Sequence, residues 1–180
     1  MLKITIPAVH LWDETKEEFI DLKEQTLQLE HSLVSLSKWE SKWCKPFLSD
    51  KEKTIEETID YIRCMTLTQN VDPRIYNFLT NENIEAINKY IDSPMTATTF
   101  ANDIKNNSKK EIITAEIIYY WMISFNIPVK FDKWHLNRLL TLIRVFNIKN
   151  KPPKKMSRTE IMRRNTELNE YRKKQLDTNG

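Results

Sequence analysis

Residues 31–43 read HSLVSLSKWESKW. Leu33, Leu36, Trp39, Glu40 and Trp43 recur at spacings of three and four, the period of one face of an α-helix. Ser32 stands just before the first of them, where its hydroxyl can accept a hydrogen bond from a first-turn backbone N–H. The spacing therefore predicts a helix over about 33–44 with Ser32 as its N-cap. Trp39 and Trp43 stand four apart, with Lys38, Glu40 and Lys42 around them. Such a pair can be the ridge of a core, a docking face for a protein, or a stacking platform for single-stranded nucleic acid. The first is the ordinary use, because indole rings bury a large area.

Toward the N-terminus the period changes from 3.6 to two. In LKITIP (2–7), Leu2, Ile4 and Ile6 alternate with Lys3 and Thr5, and EFIDL (18–22) and QTLQLEHS (25–32) alternate in the same way. Alternation is the mark of a half-buried strand, so residues 2–31 are expected to form a small antiparallel strand unit. A helix over 14–30 competes, since Glu, Lys, Gln and Leu all favour helix. The opening residues lack a basic segment followed by an apolar one, so no signal peptide is expected.

Toward the C-terminus the signals are helical. Pro46 breaks the first helix. Thr54 and Glu57 then form a capping box ahead of Ile55, Ile59, Ile62 and Leu67. Asp72 and Pro73 open a short helix over 73–79, and residues 80–92 place Ile84, Ile87 and Ile91 on one side. TATTF (96–100) could be a short strand, and the polar residues after it read as loop. Residues 110–125 are apolar around most of the helix circumference, which predicts a central helix. Asp132 is expected to cap a helix over 132–148 striped by Trp134, Leu139, Leu142, Ile143 and Phe146. KNKPPKK (149–155) reads as a stiff basic linker. Ser157 and Glu160 form a second capping box, opening a last helix over about 158–175.

Composition removes many functions. The 180 residues include one glycine, Gly180. The phosphate loop, the dinucleotide fingerprint and the nucleophile elbow all need glycine where backbone must turn sharply or approach a ligand closely. The same shortage argues against an all-β fold. The longest apolar run, IIYYWMI (117–123), falls far short of the ~18 residues a membrane span requires. Cys44 and Cys64 lie in no metal or redox spacing and are expected to be reduced thiols. His10, His31 and His135 complete no metal motif. Asp132, His135 and Arg138 can share a helix face, which reads as a cap beside a half-buried histidine rather than a general base. Glu56, Glu57 and Asp60 cluster on one helix and read as a solvated face.

The net charge of +3 is unevenly spread. From Asn147 onward there are ten Lys and Arg against four Asp and Glu, while the first 146 residues hold 18 against 21. The body is mildly acidic and the tail is basic. A basic arm can neutralise phosphates or dock on an acidic protein surface.

The stretches QTLQLEHSLVSLSKWESKW (25–43), YIRCMTLTQNVDPRIY (61–76), IIYYWMISFNIPVKFDKWHLNRLLTLIRVFNIKNKPPKK (117–155) and RNTELNEYRKKQLDTNG (164–180) together resemble a family of uncharacterised tailed-bacteriophage and prophage proteins of about this length. The resemblance associates the chain with the tail-morphogenesis module, whose small helical proteins include tail assembly chaperones. Such chaperones bind the tape-measure protein and recruit tail-tube subunits. The resemblance carries no catalytic motif.

The expected fold is mainly α. A helical body spans 1–148 with N-terminal strands at about 2–31, a Pro/Lys linker spans 149–157, and a basic amphipathic arm spans 158–180. The expected function is non-enzymatic, without metal or cofactor: a tail assembly chaperone in the host cytoplasm that contacts tape-measure and tail-tube proteins, with homo-oligomerisation open. The alternatives are a minor structural protein of the tail or connector, and a nucleic-acid-binding accessory protein using residues 149–175. Candidate partner-binding residues are Trp39, Trp43, Arg158, Arg163, Arg164, Tyr171, Arg172, Lys173 and Lys174.

Overall fold

The computed structural model describes residues 1–13, 18–100, 112–150 and 156–177. Among them the fold is mainly helical, with antiparallel strand pairs at the N-terminus. β1 (Leu2–Ile6) pairs with β4 (Gln25–Leu29), and β2 (Val9–Asp13) pairs with β3 (Glu18–Leu22). The register runs from Leu2↔Leu29 through Ile6↔Gln25 and Val9↔Leu22 to Asp13↔Glu18 without a slip. The two pairs are thus successive lengths of one hairpin. The interruption falls at Pro7, which has no N–H for a ladder. Residues 18–31 accordingly hold strands, not the competing helix. Ile4, Ile6, Leu27 and Leu29 are buried on one face of the β1–β4 pair.

α1 (Leu33–Trp43) begins where Ser32 Oγ accepts from Ser35 N–H, and ends at Cys44, which takes the left-handed conformation at φ 51°. α2 (Ile55–Met65) carries both halves of the Thr54/Glu57 capping box. Pro73–Phe78 is a 3-10 helix capped by Asp72, and α3 (Asn81–Asp92) is capped by Thr80. α4 (Ala115–Ser124) is followed by a 3-10 turn, Val129–Lys133, and by α5 (Leu136–Asn150). α6 (Arg158–Leu176) has the Ser157/Glu160 capping box. The chain divides into two compact units, Met1–Asn147 and Ile148–Gly180.

Among the described residues of the first unit two hydrophobic cores form, and α1 contributes to both. Trp39 packs with the β1–β4 face, α2 and α3 through Ile4, Leu27, Tyr61, Met65 and Ile87. Leu33 and Leu36 pack with Ala115, Ile118, Met122, Leu136 and Leu139 of α4 and α5. The stretch at 31–43 is therefore the wall between the cores, and its Trp/Leu periodicity records two partners.

Several expectations change. α4 is not central: Ala115, Ile118 and Met122 are buried, but Tyr120 and Ile123 are 66% and 69% exposed. It covers one side of α1, so its apolar circumference exceeds what its neighbours cover. Asp132 does not cap α5. It lies in the preceding 3-10 turn, and α5 starts four residues later, after an isolated bridge pairs Ser32 with His135. Leu67 lies beyond α2 and is exposed, whereas Met65 takes the buried end of the stripe. Residues 96–100 form no strand. The polar loop expected after them falls mainly on 101–111, outside the described residues, as do 151–155 of the expected linker.

Candidate functional site

A connected polar region lies between α1 and α2. Glu40 is buried on α1, and its two carboxylate oxygens accept from the backbone N–H groups of Phe47, at 2.8 Å, and Ala115, at 2.7 Å. One side chain thereby ties down the loop after α1 and the start of α4, where Thr114 supplies no side-chain cap. Trp39 donates its indole N–H to the Glu57 carbonyl at 2.8 Å. Trp43 donates to Asp60 at 2.9 Å, and Lys42 bonds the other oxygen of that carboxylate. Lys45 pairs with Glu57. Glu57 and Asp60 are buried, which corrects their reading as a solvated face. The lysine and tryptophan donors arrive from α1 and the loop after it, an approach that sequence spacing within α2 cannot show. Lys45 and the Thr54 backbone N–H hold the Glu57 carboxyl below its usual range. Burial pushes Asp60 up, but the bonds from Lys42 and Trp43 outweigh it and leave the net direction down. These groups act as structural ties.

A second cluster surrounds the histidines at the junction of β4, α1 and α5. His31 Nδ1 lies 2.6 Å from Tyr61 Oη, and His135 Nε2 lies 3.0 Å from the Tyr90 carbonyl, to which it donates. The two imidazole rings are 5.1 Å apart. The His31 carbonyl accepts from Leu136 N–H at 2.7 Å, fixing the start of α5. Tyr90 Oη in turn donates to Glu30 at 2.7 Å. Burial, followed by the nearby His135, lowers His31 to about 4. Burial also lowers His135, opposed by its bond to Tyr90 and by Glu30. Both imidazoles are therefore neutral at neutral pH. His135 does not meet Asp132 in a catalytic pair: it points at Tyr90, whereas Asp132 accepts from Tyr119 at 3.4 Å. Among the described residues no group of three or more His, Cys, Asp or Glu is placed to hold a metal ion, and no helix is long and apolar enough to cross a membrane.

The candidate partner-binding residues separate sharply. Trp39 is 1% exposed and belongs to the core, so it presents no surface for docking. Trp43 is half-buried, with its indole stacked beside Trp39 and its N–H engaged by Asp60. The arm residues are all exposed, as is every described residue of α6. On a 3.6-residue period, Ile161, Arg164, Leu168, Tyr171 and Arg172 share one face of α6. Arg158, Arg163, Lys173 and Lys174 lie on other sides, and Arg163 pairs with Glu167 at 3.1 Å.

α2, α3 and the 3-10 helix between them enclose a cleft of about 580 Å³. Its signal was present in the isoleucine spacings of 55–62 and 84–91, but a stripe identifies a face without showing how fully that face is covered.

Comparison of the chain with protein-family models, with curated proteins and with solved structures finds no match.

Proposed function

We propose that the chain is a non-enzymatic phage morphogenesis protein that acts through protein–protein contacts as a tail assembly chaperone in the host cytoplasm, with tape-measure and tail-tube proteins as its partners. The phage setting rests on the sequence resemblance. The observation that carries the contact mechanism is the mixed face of α6, where Arg164, Tyr171 and Arg172 accompany Ile161 and Leu168 on a helix with no buried residue among those described. Arginine and tyrosine are, with tryptophan, the residue types most enriched among those that dominate binding energy at interfaces. A helix with so little buried surface of its own gains most from a partner that covers it.

Co-expression with the tape-measure and tail-tube proteins of the same phage tests this reading. The intact chain should capture the tape-measure protein, and Tyr171→Ala combined with Arg164→Ala and Arg172→Ala should abolish capture. Undiminished capture would remove the arm from the mechanism. Abundant protein in purified particles would replace the chaperone with the structural alternative. Duplex DNA binding that weakens steeply with salt would favour the nucleic-acid alternative.

A further inference from the structure

The cleft in the first unit has the composition of a binding site for an amphipathic small molecule. Two rows of isoleucines face it: Ile55, Ile59 and Ile62 on α2, and Ile84, Ile87 and Ile91 on α3. Both rows follow the i, i+4, i+7 or i, i+3, i+7 spacing of one helix face, so each runs along about two turns, roughly 10 Å. Two residues at the mouth reach solvent, with Ile55 79% and Ile84 39% exposed. An aromatic stack closes one wall, where the Phe47 and Tyr61 rings lie 3.9 Å apart.

Among the described residues that line the cleft, Lys53 is the only charged one. Its ammonium lies 4.5 Å from the centre of the Phe47 ring, at the aromatic wall. The nearby Glu57 carboxylate is engaged by Lys45 and the Thr54 N–H. Among the described residues the lining includes no carboxylate, although Lys53 also borders a neighbouring hollow with Glu52 and Glu57. A long apolar trough with one cation beside it is complementary to an apolar chain ending in an anion. Its volume lies within the range of pockets that bury most of a drug-sized ligand.

We infer that this cleft binds a linear aliphatic carboxylate, with its chain between the α2 and α3 isoleucines and its head group at Lys53. The site uses residues of the first unit alone, so it stands or falls independently of the contact mechanism proposed for α6. The bound carboxylate gains a charge-assisted hydrogen bond from the ammonium, and the chain leaves water along the isoleucine rows.

Dodecanoate, titrated calorimetrically into the intact chain below its micellar concentration, tests the inference, with dodecyltrimethylammonium as the head-group control. One saturable site is expected, with dodecanoate bound roughly tenfold tighter than the cation, the size of one good charge-assisted contact. Lys53→Glu should reverse that preference, and Ile84→Trp, which fills the mouth, should weaken both ligands. Circular dichroism establishes that each variant is folded, and Lys53→Gln, expected to abolish the preference, serves if Lys53→Glu does not fold. No saturable site, equal affinity for the two head groups, or a preference unmoved by the Lys53 variant would overturn the inference. Binding of an acetylated leucine-rich amphipathic peptide without binding of dodecanoate would also overturn it, in favour of a groove for a protein helix.

Discussion

α2 and α6 open with the same local device and end in opposite environments. Thr54 with Glu57, and Ser157 with Glu160, each close a reciprocal capping box. In α2 the boxed glutamate is also paired with Lys45, and the helix buries Tyr61, Ile62 and Met65. In α6 the boxed glutamate is exposed and no described residue of the helix is buried. The capping signal fixes where a helix starts. What the helix packs against is decided elsewhere, by the density of apolar residues along its face. α2 has a broad isoleucine and methionine stripe, whereas α6 interleaves its few apolar residues with arginines.

The sharpest way to break this contrast is to truncate one side chain in each region. Trp39→Ala should destabilise the first unit by about 3–5 kcal/mol in denaturant unfolding, through the cavity and the lost indole bond to the Glu57 carbonyl. Leu168→Ala on α6 should leave the same transition within about 0.5 kcal/mol, as expected of an exposed position. A large effect of the second substitution would mean that α6 contributes to the stability of the body.

Glu40→Ala should come next, at roughly 2–5 kcal/mol, because two backbone N–H groups lose their acceptor. Hydrogen exchange should show the amides of Phe47 and Ala115 losing protection first.

Acid should act on the body through its histidines. His31 falls from an ordinary 6.5 to about 4 in the folded chain. The unfolded chain therefore binds more protons between those values, and stability is lost as pH falls from about 6.5 toward about 4. The contribution of His31 is about 3 kcal/mol. Urea unfolding across that range should show the slope, and His31→Phe should flatten it.

The smallest effect tests the caps themselves. Thr54→Ala should cost about 1 kcal/mol of global stability. Ser157→Ala should instead reduce far-UV helicity while leaving the midpoint of the main transition unchanged.

Helix starts were the most legible part of the sequence. Ser32, Thr54, Asp72 with Pro73, and Ser157 each stand where a local hydrogen bond decides the geometry, and each caps the element expected of it. The start of α5 was not legible. It is fixed by the His31 carbonyl and the Ser32 bridge, which are remote in sequence. The burial of Glu57 and Asp60 depends in the same way on lysines from another element. The arm residues were readable as a basic, exposed set. Trp39 and Trp43 looked equivalent in the sequence and are not, because the indole of one points into the core while the other reaches Asp60 near its edge. The cleft is not legible for a related reason: Ile55 and Ile84 satisfy the period of a buried stripe, yet Ile55 is largely exposed and Ile84 partly so.

The position of α1 between two cores has a consequence for how the chain folds. A fragment ending at Phe100 would carry Leu33 and Leu36 without α4 and α5, and a fragment starting at Ile112 would carry α4 and α5 without α1. Each would expose half of an interior, so neither is expected to be a stable module. The two halves should instead complement each other when mixed, and the intact body should melt in a single cooperative transition despite having two interiors.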